Sequence, residues 1–356
     1  MSTIVAADIS GLLDRTPDLW RELRGASLFI TGGTGFFGTW LLESLLAANR
    51  RFDLGCRVLV LSRDPARFAA KAGHLASDPA IALIQGDVRT FAFPAGPVTH
   101  VIHAATEASA ALNESDPPTM FDVCVEGTRR VLALAAEKRA ARFLFTSSGA
   151  VYGPQPPELS HVPEEFTGGP DPLDVRSAYA EGKRAAEMLC TIAARASAAR
   201  LHLSIARCFA FVGPHLPLDA HFAIGNFLRD ALAGGPIRVS GDGTPYRSYL
   251  YAADLVEWLV MILLRGMPGR AYNVGSEEAV SIRDLAARVA DVAAVVLPDR
   301  RRPEVSVAGQ ATPGVIPSRY VPSCRRARAE LGLVPATTLD EAIRRTLLAA
   351  TEEAGR

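Results

Sequence analysis

Short apolar runs alternate with longer amphipathic segments along the first part of the chain. The first run, residues 28–30, leads through a glycine-rich turn into a segment whose leucines recur on one helical face. A second helical pattern, FDVCVEGTRRVLALAAEKR, lies among further strand-like runs, which are CRVLVLSRD, AIALIQGDV, HVIHAA, RFLFTSS and LHLSIARCFAFVG. Buried strands that alternate with helices form β-α-β units, so the pattern predicts the α/β class with a doubly wound parallel sheet.

The pattern changes near residue 211, where glycine and proline become frequent and short strands separate the helices. We therefore predict three parts, which are a short helical extension over residues 1–25, the sheet domain over 26–210 and a smaller mixed α/β lobe over 211–356. Segments around 240–260 are expected to return to the sheet domain.

Composition excludes several classes of partner. Lysine plus arginine equals aspartate plus glutamate at 38 each, so no overall charge attracts nucleic acid or an anionic membrane.

The five cysteines lack C-x-x-C spacing, which favours reduced thiols over a disulfide framework or a metal site. The N-terminus does not resemble a signal peptide, and no apolar run approaches the length of a membrane span. We expect a cytoplasmic protein.

The turn TGGTGFFG places Gly32, Gly35 and Gly38 at a G-x-x-G-x-x-G spacing between the first strand and its helix. Such glycines permit a tight turn, close approach of the backbone to a pyrophosphate, and close packing of the helix on the strand. The helix that opens with Phe36 and Phe37 would present free N–H groups to the phosphates. The sequence therefore predicts that residues 26–210 bind a dinucleotide.

The ends of the second and third strands offer contacts for the adenosine half of the dinucleotide. Ser62 and Arg63 stand where NAD-binding proteins carry an acid for the ribose, and an arginine there suits the 2′-phosphate of NADP. In the alternative, Arg63 stacks on the adenine and Asp64 binds the ribose, which would suit NAD. Asp87 and Val88 are predicted to meet the adenine, with an ordinary turn aspartate as the alternative for Asp87.

The motifs TGGTGFFG, HAA, TSSGAVYG and YAEGK occur in this order. Together they resemble the extended branch of the short-chain dehydrogenase/reductase superfamily, which contains nucleotide-sugar epimerases, dehydratases, decarboxylases and ketoreductases. The resemblance covers about residues 26 to 345 and implies a Rossmann-type domain for NAD or NADP beside a lobe for an NDP-sugar. It also implies that Ala104 and Ala105 lie along the cofactor. A homodimer would form through the helix of YAEGK and the helix around residues 120–138.

Tyr179 and Lys183 lie four residues apart in a predicted helix, on the same face. The resemblance implies that Tyr179 exchanges a proton with the sugar hydroxyl during hydride transfer and that Lys183 holds the nicotinamide ribose. A phenol ionises near pH ~10, so the positive charge of Lys183 would help Tyr179 to act near neutral pH. Ser148 is predicted to hydrogen-bond the reacting oxygen, with Ser147 as the adjacent alternative.

The C-terminal lobe offers candidate contacts for the substrate. By resemblance, Arg247 binds the diphosphate and Asn226 contacts the nucleotide side. His215 and His221 are candidates for substrate specificity, whereas Arg207 and His103 are expected to be structural.

Departures from the family pattern narrow the predicted chemistry. Gly149 and Ala150 follow Ser148, where dehydratases carry an Asp-Glu pair and decarboxylases a glutamate, so this segment has no carboxylate base. Ala210 and Cys124 replace asparagines of the family, which leaves open how the substrate is contacted and how the site is packed.

Hydride transfer without a further carboxylate favours an NDP-sugar epimerase that works at the sugar 4-position. The alternative, favoured by Arg63, is an NADPH-dependent reductase of a 4-keto-6-deoxy NDP-sugar. A 4,6-dehydratase, a non-catalytic dinucleotide sensor and a UDP-glucuronate decarboxylase are less favoured, although RSAYAEGKR and GNFLRDAL resemble the decarboxylases.

Overall fold

Seven parallel strands form the central sheet of the protein, as seen in a computed structural model that describes residues 2–106, 110–196, 201–218 and 222–355. The strands of the described residues are β1 (Ser27–Thr31), β2 (Arg57–Ser62), β3 (Ile81–Gln85), β4 (His100–His103), β5 (Arg142–Ser148), β6 (His202–Cys208), β7 (Phe211–Val212), β8 (Ile237–Val239), β9 (Tyr246–Arg247), β10 (Leu250–Tyr251), β11 (Ala271–Val274), β12 (Val280–Ser281), β13 (Val305–Val307) and β14 (Arg319–Tyr320). The central sheet has the order β3-β2-β1-β4-β5-β6-β11, which confirms the predicted doubly wound parallel sheet.

Helices flank this sheet and bury its two faces. The helices of the described residues are α1 (Thr3–Arg15), α2 (Pro17–Arg21), α3 (Phe36–Phe52), α4 (Pro65–Lys71), α5 (Gly73–Ala76), α6 (Ala110–Ser115), α7 (Pro117–Glu137), α8 (Ala178–Ala196), α9 (Ala223–Leu232), α10 (Ala252–Arg265), α11 (Ile282–Val296), α12 (Arg325–Leu331) and α13 (Leu339–Ala354), with short 3₁₀ turns at Gly149–Tyr152 and Val175–Ser177. Among the described residues, no helix has the length and apolar character needed to cross a membrane.

Alternate residues of β1 enter two different cores, as the period of a strand requires. Ile30 belongs to the core that contains Trp40 of α3 and Trp258 of α10. Phe29 belongs to the core on the other face, with Val131 of α7. Every residue of β1 is buried, which explains why its sequence is a continuous apolar run rather than an alternating one.

The smaller sheets lie in the C-terminal part of the chain, where β7 pairs with β10, β8 with β13, and β9 with both β12 and β14. This part also contributes to the central sheet. Strand β11, at residues 271–274, pairs with β6, and α10 packs against α3, β5 and β6. The chain therefore rejoins the sheet domain through an entire helix and strand.

The two N-terminal helices are part of the folded core. Val5, Ile9 and Leu12 of α1 are buried, and α1 packs against α3, α10 and α13. The Asp8 carboxylate accepts hydrogen bonds from the Tyr251 hydroxyl and from Arg345 on α13, and burial raises the pKa of this carboxyl group. The predicted helical extension thus ties the beginning of the chain to its last helix.

The carboxyl ends of the parallel strands meet at one edge of the sheet. Strands β1, β2, β4 and β5 end there at Thr31, Ser62, His103 and Ser148. The strand order reverses between β1 and β4, and such a reversal opens a crevice at this edge in doubly wound sheets.

Candidate active site

The glycine-rich turn after β1 is shaped by two contacts that exclude side chains. Gly32 has φ +72°, and a Cβ atom there would lie 2.4 Å from the Ala104 carbonyl oxygen. A Cβ atom at Gly38 would lie 2.2 Å from the backbone of Gly33. By contrast, a Cβ atom at Gly35 would meet only the Gly32 carbonyl oxygen, at 3.5 Å. Gly32 and Gly38 therefore permit the packing of the turn, whereas the absent side chain of Gly35 keeps its outer surface open.

The N-terminus of α3 faces this open surface. Gly35 is the N-cap, and no side chain caps the helix. Within the described residues, the backbone N–H groups of Phe36, Phe37 and Gly38 donate to no protein acceptor. Free N–H groups and the partial positive charge of a helix N-terminus suit a phosphate group. The turn therefore fits the pyrophosphate of a dinucleotide.

A buried hydrogen-bond chain holds Ala104 and Ala105 beside the turn. The Thr31 Oγ1 accepts from the Ala104 and Ala105 N–H groups at 3.1 and 3.0 Å and lies 2.7 Å from His103 Nδ1. His103 Nε2 lies 3.0 Å from the Thr128 hydroxyl. Burial lowers the pKa of His103 to about 3, so this histidine is neutral and structural.

The residues after β2 and β3 lie where the adenosine half of a dinucleotide was predicted. Ser62 is buried and its hydroxyl accepts from the Asp64 N–H at 3.2 Å, whereas Arg63 is exposed. Asp64 caps α4 by accepting from a backbone N–H, so its carboxylate has a structural task. Hydrogen bonds from Arg89 lower the pKa of Asp87, and Arg63 lies close enough to add to the effect.

Val88, also predicted to meet the adenine, is buried against α7. A Cβ atom added to Gly127 of α7 would lie 2.9 Å from the Val88 side chain. Asp87 and Val88 therefore form a turn that packs onto α7, and their contact with adenine remains a prediction.

Tyr179 and Ser148 are brought together by α8 and β5. Burial raises the pKa of the Tyr179 phenol, and the Ser148 hydroxyl lies close enough to offset part of that rise. The Ser148 Oγ accepts from the Ala150 N–H at 3.1 Å. Asn113, which sequence reasoning missed, accepts from the Tyr179 N–H at 2.9 Å and donates to the Arg176 carbonyl oxygen at 2.8 Å. Asn113 thereby fixes the first turn of α8.

Lys183 is buried one helical turn after Tyr179. Its Nζ donates to the Thr146 carbonyl oxygen at 2.7 Å and lies 5.9 Å from the centroid of the Tyr179 ring. Burial lowers the pKa of Lys183 and raises the pKa of Tyr179. Ionisation of Tyr179 near neutral pH therefore requires nearby positive charge, which Lys183 is placed to supply.

Ser147 does not face the same side of β5 as Ser148. Its hydroxyl donates to Glu187 Oε1 at 2.6 Å, and Glu187 pairs with Arg207 at 2.7 Å. Successive strand residues point to opposite faces, and Ser147 lies on the face that packs against this ion pair. Ser147 is therefore engaged by this ion pair, its substrate-binding role stays a prediction, and Arg207 occupies the structural position expected of it.

The predicted substrate contacts lie on separate elements of the C-terminal lobe. Arg247 on β9 is half-buried and close enough to Tyr320 on β14 to lower the pKa of that phenol. Asn226 on α9 accepts from Arg229 at 3.2 Å, and no contact in the described residues joins Asn226 to Arg247 or Tyr179.

The described residues include one of the two histidines that were predicted to govern substrate specificity. His215 lies at the edge of the Trp40 ring, with ring centroids 6.2 Å apart, and its Nε2 has no partner among the described residues. No contact in that part of the chain joins it to Tyr179 or Ser148. His221 lies outside the described residues.

Two positions where the family carries asparagine have packing roles here. Cys124 on α7 lies against Gly182 of α8, where an added Cβ atom would be 2.8 Å from the cysteine Cβ. The Ala210 carbonyl oxygen accepts from the Leu250 N–H at 3.0 Å. Gly182 thus allows α8 to approach Cys124 of α7 closely, one residue before Lys183.

The cysteines are all buried and unpaired. Burial raises the pKa of each thiol for which a shift is resolved, which keeps the thiols protonated at neutral pH. In the part of the chain that the structure describes, no group of three or more His, Cys, Asp and Glu side chains is arranged to hold a metal ion.

Residues 28–275 match the NAD dependent epimerase/dehydratase family. The match spans the glycine turn, Ser148, Tyr179 and Lys183. The protein therefore belongs to this family of nucleotide-sugar-modifying enzymes, and the resemblance to extended short-chain dehydrogenases/reductases is confirmed.

The chain is similar in sequence to plant decarboxylases. UDP-glucuronic acid decarboxylase 6 of Arabidopsis thaliana is 29% identical, over 92% of this chain and 92% of its own length. UDP-glucuronic acid decarboxylase 1 of the same plant is 30% identical, over 89% of this chain and 68% of its own length.

In structure, the chain is similar to epimerases and dehydratases. UDP-glucose 4-epimerase of Thermotoga maritima aligns with a TM-score of 0.74 at 19% identity, over 92% of this chain and 99% of that chain. For dTDP-glucose 4,6-dehydratase of Streptomyces venezuelae the TM-score is 0.75 at 23% identity, with 92% and 98% covered. UDP-glucose 4-epimerase of Thermus thermophilus, solved with NAD, gives 0.72 at 26% identity, with 91% and 98% covered.

The second and third glycines of the motif, Gly35 and Gly38, should respond differently to substitution. We expect Gly38→Ala to lower the free energy of unfolding by about 1–3 kcal/mol, because its Cβ atom meets backbone. We expect Gly35→Ala to retain the wild-type melting temperature but to bind NAD or NADP about 10-fold or more weakly, since its methyl group would occupy the open surface. Chemical denaturation and calorimetric titration measure the two effects. Wild-type cofactor affinity in Gly35→Ala would contradict this assignment.

Proposed function

We propose that the protein is an NDP-sugar epimerase that oxidises its substrate to a keto-sugar, at the sugar 4-position, and reduces it again from the other face. The family membership supports a nucleotide-sugar substrate and an NAD or NADP cofactor. The glycine turn and the free N–H groups of α3 would hold the cofactor pyrophosphate.

The observation that carries this proposal is the chemistry around the Tyr179 phenol. Gly149 and Ala150 follow Ser148, the Tyr320 hydroxyl lies beside Gly149, and no carboxylate among the described residues hydrogen-bonds Tyr179 or Ser148. Elimination of water needs a base for a carbon-bound proton and an acid for the leaving hydroxyl, and decarboxylation of a keto-sugar acid needs an acid that protonates the carbon from which carbon dioxide leaves. Hydride transfer needs none of these groups, because Tyr179 and Ser148 handle the only proton that moves.

The proposed step assigns one role to each of the three residues. Tyr179 accepts the proton of the sugar hydroxyl while Ser148 hydrogen-bonds the same oxygen. The hydride of that carbon passes to the nicotinamide, which is the chemistry that the cofactor supplies when bound. Lys183 stabilises the phenolate of Tyr179. In the return step the carbonyl carbon of the keto-sugar would accept the hydride on its opposite face, and Tyr179 would return the proton to the carbonyl oxygen.

A second candidate is an NADPH-dependent reductase of a 4-keto-6-deoxy NDP-sugar. The exposed guanidinium of Arg63, next to buried Ser62 at the end of β2, favours a 2′-phosphate at this position. Asp64 is occupied as the cap of α4, which weakens its alternative role as the ribose acid of an NAD site.

We further propose that the protein is a homodimer that pairs α7 and α8 of one subunit with the same helices of the partner. These helices pack on each other within the chain and leave large apolar side chains exposed. Met188 and Ile192 on α8 are 61% and 56% exposed, and Phe121 on α7 is 38% exposed. A cluster of this kind is typical of a contact surface.

Product analysis tests the proposed reaction. The purified enzyme is incubated with UDP-glucose, dTDP-glucose, UDP-glucuronate and, with NADPH, a 4-keto-6-deoxy NDP-sugar, and the products are identified by NMR. We expect a 4-epimer of an NDP-sugar, no release of carbon dioxide, and a loss of turnover of about 100-fold or more in Tyr179→Phe. Carbon dioxide from UDP-glucuronate would contradict the proposal in favour of a decarboxylase. Reduction of the keto-sugar without epimerisation would establish the second candidate.

Light scattering after size-exclusion chromatography tests the dimer. We expect twice the mass of one chain for the wild type and the mass of one chain for Met188→Glu/Ile192→Glu, because two charges would be buried in the contact. Val295→Glu on α11, a side chain that is 76% exposed, is the matched control and should remain dimeric. A monomeric wild type, or a dimeric double variant, would contradict this surface.

A further inference from the structure

A tyrosine from β14 occupies the space beside Ser148 that the next two residues leave open. A Cβ atom added to Gly149 would lie 2.7 Å from the Tyr320 Oη and 2.8 Å from the Phe209 ring. Ala150 contributes only a methyl group. The Tyr320 hydroxyl therefore stands where a side chain at position 149 would begin.

Contacts from distant parts of the chain fix this phenol. The Val321 N–H donates to Gln155 Oε1 at 2.9 Å, and the Val321 carbonyl oxygen accepts from the Val162 N–H at 2.9 Å. The Tyr320 ring packs on Phe209, with centroids 4.7 Å apart. The tyrosine is therefore held against the sheet domain by its neighbour's backbone and by its own ring.

The Tyr320 hydroxyl lies beside the catalytic residues. Burial raises the pKa of Tyr320 and of Tyr179, and Ser148 lies close enough to both phenols to offset part of that rise. The Ala150 N–H, which donates to the Ser148 Oγ at 3.1 Å, also offsets part of the rise in the pKa of Tyr320. Burial raises the pKa of Tyr320 to about 12, so its hydroxyl is protonated and can donate at neutral pH.

The hydrogen-bond donors around the Ser148 hydroxyl determine which acceptor its own proton can reach. A serine hydroxyl has two acceptor lone pairs and one proton to donate. If the Ala150 N–H and the Tyr320 O–H both donate to Ser148, its proton is left for Tyr179 and for a substrate oxygen beside it.

We propose that Tyr320 is a positioning residue, which donates a hydrogen bond to Ser148 and directs the Ser148 proton toward Tyr179 and the reacting sugar oxygen. This inference rests on the proposed function, in which Ser148 holds that oxygen during hydride transfer. Because the phenol is neutral, it orients Ser148 without adding a base next to the substrate.

The first test follows the ionisation of Tyr179 and needs no substrate. The chain has 7 tyrosines, so the signals of ¹³Cζ-tyrosine-labelled holoenzyme can be assigned with single Phe variants. In Tyr320→Phe, the midpoint of the Tyr179 titration should rise by about 0.5–1 pH unit, because a poorly oriented Ser148 stabilises the phenolate less. An unchanged midpoint would overturn the proposal.

Tyr272→Phe is the matched control for this titration. Tyr272 is a buried phenol that donates to Glu330 at 2.8 Å, and no described contact joins it to Ser148 or Tyr179. Its loss of a hydroxyl should leave the Tyr179 midpoint unchanged. An equal rise in both variants would show a general effect of removing a buried hydroxyl and would overturn the role of Tyr320.

The second test uses kinetics on the substrate that the product analysis identifies. In Tyr320→Phe, kcat should fall about 10-fold while KM for the NDP-sugar changes less than about twofold. Ser148→Ala/Tyr320→Phe should be no slower than Ser148→Ala, because Tyr320 acts through Ser148. Additive losses, or a raised KM with unchanged kcat, would overturn the proposal. Failure of the proposed function would instead appear as a wild type that forms no hydride-transfer product, and the titration would still decide the role of Tyr320.

Discussion

The hydrogen bond from Lys183 to the Thr146 carbonyl oxygen fixes the geometry on which the rest of the active site depends. A buried ammonium group is costly without a partner, so this contact strongly restrains α8 against β5. Tyr179 lies one turn before Lys183 on α8, and Ser148 lies two residues after Thr146 on β5. Together with the hydrogen bond from Ser147 to Glu187, this contact joins the helix to the strand and brings Tyr179 toward Ser148. It also holds the Lys183 ammonium 5.9 Å from the centroid of the Tyr179 ring.

Neutral groups surround the rest of that phenol among the described residues. Gly149 and Ala150 provide no carboxylate, and the Tyr320 hydroxyl fills the adjoining space. Burial then favours the neutral form of Tyr179 until positive charge is added. Such a site is suited to one proton transfer coupled to one hydride transfer, and poorly suited to removing a proton from carbon.

Local sequence pattern was sufficient for the sheet, the glycine turn and the common helical face of Tyr179 and Lys183, because each depends on neighbours within one β-α unit. The spacing of Tyr179 and Lys183 fixed their common helical face, and the buried runs fixed the parallel strands. Ser147 could not be told from Ser148, since the ion pair that binds Ser147 comes from Glu187 and Arg207, far along the chain. Tyr320 and Asn113 were missed for the same reason, because their contacts depend on tertiary packing that no short pattern encodes.

The central claim, that only hydride and a hydroxyl proton move, is tested most directly by running the reaction in D₂O. Hydride transfer returns the same hydrogen to the sugar carbon, whereas a base that removes a carbon-bound proton lets solvent deuterium enter the product. NMR and mass spectrometry of the purified NDP-sugar product measure the difference. We predict a product with no carbon-bound deuterium. Deuterium at a carbon of the sugar would contradict this account.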